Sequence, residues 1–224
     1  RRSLPAPVNG AGETVVFTVT SGPNAGATSG PVVTNGTGDA MFTYNSSGLP
    51  GIDTITVNGS IAGEPFTCSA TKEWIDPACD ITPANTSGPV GTMFTATGAV
   101  LRRTGPVPVP ALNQAVTFLV ISGPNAGTTL NTSTDAVFGI ANFPYTSNGI
   151  SGLDVIQLSG TIDGVPFVCT TTREWVDPTC TLSPPIDVNL IGTSHSVTVT
   201  VLRRSLPAPV VADGVSVTFL VTAG

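Results

Sequence analysis

The chain has 224 residues, of which 40% are hydrophobic and only 10% charged, with a net charge of −6 and a single lysine, Lys72. Binding to nucleic acid by neutralising phosphates needs clustered Lys and Arg, so that partner class is not expected. No apolar run reaches the roughly 18 residues of a membrane-spanning helix, and the wealth of Thr, Val, Gly, Pro and Asn predicts short strands and tight turns, an all-β chain.

In chain order, RRSLPAPV opens at Arg1 and a strand follows through Phe17 into the phrase SGPNAG at Ser21. Next come an alternating segment from Gly38 to Tyr44, a strand entered at Gly51-Ile52-Asp53, and a strand that carries Cys68 and ends in Glu73-Trp74-Ile75-Asp76-Pro77. The same order then returns at an offset of 101 residues: Phe17 becomes Phe118 and then Phe219, Cys68 becomes Cys169, Cys79 becomes Cys180, and RRSLPAPV reappears at Arg203. That period is too long for a solenoid and matches one β-sandwich domain of about 100 residues. In the second period Val116, Phe118 and Val120 share a face, as do Ala141, Phe143 and Tyr145. Ile156, Leu158 and Ile162 make a third stripe across Gly160, and Phe167, Cys169 and Trp175 a fourth. Asp163-Gly164 and Asn148-Gly149 are hairpin-type turn pairs. Val197, Val199 and Val201 open a third period, with His195 in phase at a strand edge.

Pro77 and Pro178 follow the Trp-bearing strand, where a proline is expected to stop pairing and stiffen a junction. Domain boundaries placed there make 1–77 a partial domain lacking its first strands, 78–178 one complete domain, and 179–224 the opening strands of a third. The expected architecture is a tandem of immunoglobulin-like Greek-key β-sandwiches.

The phrases Val90-Gly91-Thr92 and Ile191-Gly192-Thr193 each precede an alternating strand, and the first of these strands is followed by a strand that runs into SGPNAG. With Gly38 to Tyr44, Gly139 to Tyr145, Gly51 to Ile55, Gly152 to Ile156 and the terminal Lys/Arg-Glu-Trp, this pattern resembles bacterial Ig-like domains of the invasin type over essentially the whole chain. The resemblance implies a secreted or cell-surface module serving as stalk, spacer or adhesin. Two cysteines per repeat and the long Arg-Arg-Pro-rich loop depart from it.

Two cysteines per repeat, without histidine partners, point to disulfides rather than zinc, which needs four ligands. In an Ig-like sandwich the opening cysteine and the one near the start of the last strand lie at one pole, so Cys79–Cys169 is the preferred bridge. Cys68 and Cys180 are then left for a flanking repeat or a neighbouring copy, and a Cys68–Cys79 bond would contradict this register. Glu73 with Asp76 and Glu174 with Asp177 are candidate calcium ligands at the junctions, and Asp53 and Asp154 are turn carboxylates that also suit calcium. Calcium wants six to eight oxygens, and no EF-hand-like loop supplies them. Trp74 and Trp175, beside the junction prolines, are expected to pack between domains. The Arg-Arg loops at Arg1, Arg102 and Arg203 suit either a neighbouring chain or glycan, or plain solvation. Sequons at Asn35, Asn45, Asn58, Asn85 and Asn131 are compatible with glycosylation of an exported protein.

With one histidine, no Ser-His-Asp set can recur in every repeat, so no enzyme and no cofactor is expected. The leading expectation is an extracellular or cell-surface structural protein, a stalk or filament of disulfide-stabilised beads. Its partners would be further repeats of the same chain or copies of itself, joined covalently or by strand exchange. The alternative is an adhesin whose pole loops bind surface glycans or proteins, a reading suggested by the divergent loop after Asn125.

Overall fold

The computed structural model describes residues 9–105, 107–204 and 210–222. The opening Arg1-Arg2 pair lies outside them. Every regular element among the described residues is a strand. The chain divides into two compact units, one of Arg1–Ala78 with Leu101–Val109, the other of Cys79–Val100 with Pro110–Gly224.

In the first unit, β1 (Thr14–Ser21), β2 (Thr28–Val33), β3 (Gly51–Ile61) and β4 (Glu64–Trp74) form one antiparallel sheet in the order β2-β1-β3-β4. β3 turns into β4 through Ala62-Gly63, both at positive φ, the two-residue hairpin geometry that matches the twist of its strands. Val15 and Val19 point inward and are buried. The alternating segment read from Gly38 to Tyr44 makes no strand pairing, although Phe42 and Tyr44 stack in series on Phe17 with centroids 5.6 and 5.2 Å apart.

The second unit is sandwich-like. The strands in chain order are β5 (Asp76–Thr82), β6 (Thr86–Pro89), β7 (Met93–Arg103), β8 (Val109–Pro110), β9 (Ala115–Ser122), β10 (Thr129–Ser133), β11 (Ile140–Thr146), β12 (Gly152–Ile162), β13 (Val165–Ser183), β14 (Thr198–Arg204) and β15 (Val210–Val211). One sheet runs β10-β9-β12-β13-β14-β15 with β6 parallel to β13, and the other runs β11-β7-β5. The period-2 stripes read from the sequence face each other across the gap: Phe118 stacks on Phe143, and Val116, Val120, Ala141, Ile156 and Leu158 are buried around them.

Three expectations need correction. Pro178 does not end a strand, because β13 runs unbroken for 19 residues through it. Trp175 still pairs with Gly152 of β12, but from Asp177 onward the strand pairs with β14, where Pro178 faces Arg203. With a ladder on one side only, the missing N–H of Pro178 costs no central hydrogen bond. His195 lies ahead of β14, outside any strand and exposed, with Nδ1 3.1 Å from Asp187 Oδ2. Trp175 is fully buried inside its own repeat rather than packed between domains.

Candidate functional site

A buried carboxylate organises each repeat. Asp154 sits on β12 with no exposed surface, and its Oδ2 accepts from Asn125 Nδ2 at 2.7 Å, Tyr145 Oη at 3.0 Å and Trp175 Nε1 at 2.6 Å. Its Oδ1 accepts the backbone N–H of Asn125 at 3.0 Å. Asp53 repeats the arrangement with Asn24, Tyr44 and Trp74 at 2.6 to 3.0 Å. This explains SGPNAG, because the turn must deliver both the amide and the backbone N–H of its asparagine to the carboxylate. Gly123 stands at φ +107° with a Cβ position only 2.3 Å from the Leu153 carbonyl, so no side chain fits there. Burial pushes the Asp53 carboxyl upward, but the bonds from Asn24, Trp74 and Tyr44 outweigh it and hold the group below the usual carboxylate range. Burial and the adjacent Asp154 raise the Tyr145 phenol, keeping it a neutral donor. The donors that fill these carboxylates are all neutral groups of the chain, so they act as anchors of the fold. Sequence reasoning treated Asp53 and Asp154 as turn residues; the signal it passed over was the fixed spacing of Asn, Tyr, Asp and Trp in both repeats.

At the ends of the Trp-bearing strands the Arg-Arg pairs meet acids. Arg102 Nη2 bonds Glu73 Oε2 at 2.8 Å and Arg103 Nε lies 3.5 Å from Asp76 Oδ2, both pairs in the first unit. In the second unit Arg203 bonds Glu174, and Arg204 Nη1 lies 3.6 Å from Asp177 Oδ2. The four carboxylates weighed for calcium therefore each face a cation supplied by the chain. No group of three or more metal-ligating side chains occurs among the described residues. The Arg-Arg motifs, read as loops open to a glycan or to solvent, are ion-paired at both described sites.

Cys79 and Cys169 are bonded, with Cα atoms 5.8 Å apart, joining the two sheets of the second unit as the register prefers. Cys68 and Cys180 are free and exposed. All five sequon asparagines are exposed, Asn58 and Asn131 within strands and Asn35, Asn45 and Asn85 outside them.

The first unit carries an open apolar face. Phe17, Phe42, Tyr44, Ile55, Val57 and Cys68 border a cavity of about 250 Å³, although Phe118, Phe143, Ile156 and Leu158, their equivalents in the second repeat, are fully or almost fully buried. The chain matches no protein-family model and no curated protein.

Proposed function

We propose that this chain is a structural segment of an extracellular stalk or filament made of immunoglobulin-like Greek-key sandwiches in tandem, non-catalytic and related in kind to invasin-type surface repeats. The observation that carries the reading is the junction within the second unit. There β13 passes from one repeat into the next as a single strand, and the Arg203–Glu174 and Arg204–Asp177 pairs brace it. A flexible linker would let beads swing freely, whereas a shared strand with paired charges resists bending and suits a rod. The same acid and arginine positions pair at Glu73–Arg102 and Asp76–Arg103, so the ion pairs recur in the first unit, although the strand there is interrupted at Ile75. The Cys79–Cys169 bond supports an oxidising, extracellular setting. Electron microscopy of the purified material is the test: thin fibres of uniform width are expected, and compact particles at every concentration would overturn the reading.

One observation favours adhesion as a second role. The 134–139 loop displays Val137 and Phe138 at 64% and 67% exposure, where the first repeat has Gly36 and Thr37. An exposed aromatic beside an exposed aliphatic is a recognition feature. If it binds, Phe138→Ala abolishes retention on a glycan or cell-surface protein array without altering fibres.

A further inference from the structure

We infer that the Cys79–Cys169 bond is the load-bearing link of the second repeat. Tension along the chain enters at Cys79, crosses the bridge and leaves along β13, bypassing the folded segment between the two cysteines. This role for the bond rests on the stalk reading, because only a chain under tension uses such a link.

Two routes lead from the entry of the repeat to its exit, and the covalent one is short and straight. Cys79 on β5 and Cys169 on β13 have Cα atoms 5.8 Å apart. From Cys169 the chain continues as one strand through Pro178 to Ser183. Between Cys169 and Pro178 that strand already spans about 30 Å at ~3.3 Å per residue, and full extension adds only about 3 Å. The bypassed segment covers a sequence separation of 90, so its ends would part by about 300 Å if tension straightened it. A load does work equal to force times displacement, so it drives unfolding only along a path that gains length. The bridged path gains almost none, and the bond closes the path that would gain the rest.

The second route runs through hydrogen bonds. Beyond Cys79 the backbone passes Asn85, at positive φ, into β6, which lies parallel to β13 from Thr86↔Arg173 to Pro89↔Val176. Parallel strands pulled from entry and exit are sheared along their length, and Arg173 pins this pair. Its Nη1 donates to Ser87 O at 2.8 Å and to Thr86 Oγ1 at 3.2 Å. Its guanidinium lies over the rings of Phe94 and Trp175, 4.6 and 4.8 Å from their centroids. This clamp would take the load if the bond were broken. With both in place they act side by side, and the stiffer takes the tension. A covalent bridge of two sulfurs yields far less than a short hydrogen-bonded ladder reached through a turn. Asp154, Asn125 and Tyr145 lie in the bypassed segment, as does the 134–139 loop with its exposed Phe138. The anchor and that loop therefore keep their geometry while the chain is pulled.

The test holds the whole 224-residue chain by its two ends in an optical trap, with the exposed thiols of Cys68 and Cys180 alkylated beforehand. Once the load has drawn out what lies outside the bridge, the length should stay constant until dithiothreitol is added. Each tether should then lengthen by one step of about 300 Å. Dithiothreitol breaks the bond by thiolate attack, gives the two cysteines two electrons and two protons, and leaves as its cyclic disulfide. Both cysteines are half-buried, so the reductant reaches them in the folded bead. The expected step rate is proportional to dithiothreitol and rises about tenfold from the lowest load to the highest, because tension on the bond speeds its cleavage. A rate proportional to dithiothreitol but independent of load would mean a slack bond, and would overturn the inference. So would a rate that saturates in dithiothreitol, which would show the clamp holding alone. Arg173→Ala loosens the clamp and should leave the load dependence unchanged; a load dependence seen only in that variant would refute the assignment. Single chains are pulled, so the result does not depend on assembly. A slack bond in chains that form fibres sinks this inference alone, and a loaded bond in chains that stay compact particles sinks the stalk reading alone.

Discussion

Replacing Asp154 by Asn keeps the side-chain shape and removes the charge, which isolates what the carboxylate does. The best orientation leaves the amide oxygen at the Oδ2 position, where Asn125 Nδ2, Tyr145 Oη and Trp175 Nε1 converge. The new NH₂ group then points at the backbone N–H of Asn125, which loses its acceptor. A buried N–H left without a partner costs about 1–3 kcal/mol. Three charge-assisted bonds become neutral ones at a loss of about 1 kcal/mol each, partly offset because no charge need be buried. The net expectation is about 3 kcal/mol of destabilisation, confined to the second unit. The assay is urea unfolding of Asp154→Asn followed by Trp175 fluorescence in a Trp74→Phe background, with linear extrapolation. A loss under about 1 kcal/mol would refute the claim that an ionised carboxylate anchors the repeat.

Further expectations follow the same logic. The folded Asp53 carboxyl lies below its unfolded value of about 3.9, so its contribution is complete above that pH and disappears as pH falls through the folded value. An acid titration of the wild type should therefore show the first unit losing stability below about pH 4, a slope that Asp53→Asn removes; an unchanged slope contradicts the hydrogen-bond account. Gly123→Ala must place a Cβ against the Leu153 carbonyl at positive φ and should cost more than about 3 kcal/mol by thermal unfolding; a neutral result would mean the turn is laxer than described. Removing the Cys79–Cys169 bond, which spans 90 residues, should cost about 4–5 kcal/mol if chain entropy dominates, and a much smaller loss in denaturant titration would point to a compact unfolded state. Arg203→Ala breaks a partly exposed ion pair and should change equilibrium stability by less than about 1 kcal/mol; a larger change would show the brace to be a folding element.

Much of the second repeat was legible because its strands are half-buried and alternate cleanly. Val116-Thr117-Phe118-Leu119-Val120 reads as inward and outward positions, and the structure buries the inward ones. The Asp163-Gly164 hairpin was legible because both residues must adopt positive φ and both tolerate it. Pro178 misled, since a proline is neutral wherever a strand has a partner on one side only, and a local reading cannot know which side is empty. The tryptophans misled likewise: the indole donor of Trp175 is matched by Asp154, 21 residues earlier, and nothing near Trp175 in sequence signals that partner.

The sequence by itself determined the all-β class, the 101-residue offset and the inward stripes, because each depends on local alternation or on copies compared at a fixed interval. Only the tertiary structure decided that Asp53 and Asp154 are buried anchors, that the arginine pairs close on Glu73, Asp76, Glu174 and Asp177, and that β13 crosses the junction unbroken. Those outcomes depend on which groups meet across the fold. A charge or hydrogen-bond donor acquires its role from the partner and the burial it finds there, and residues distant in sequence supply both.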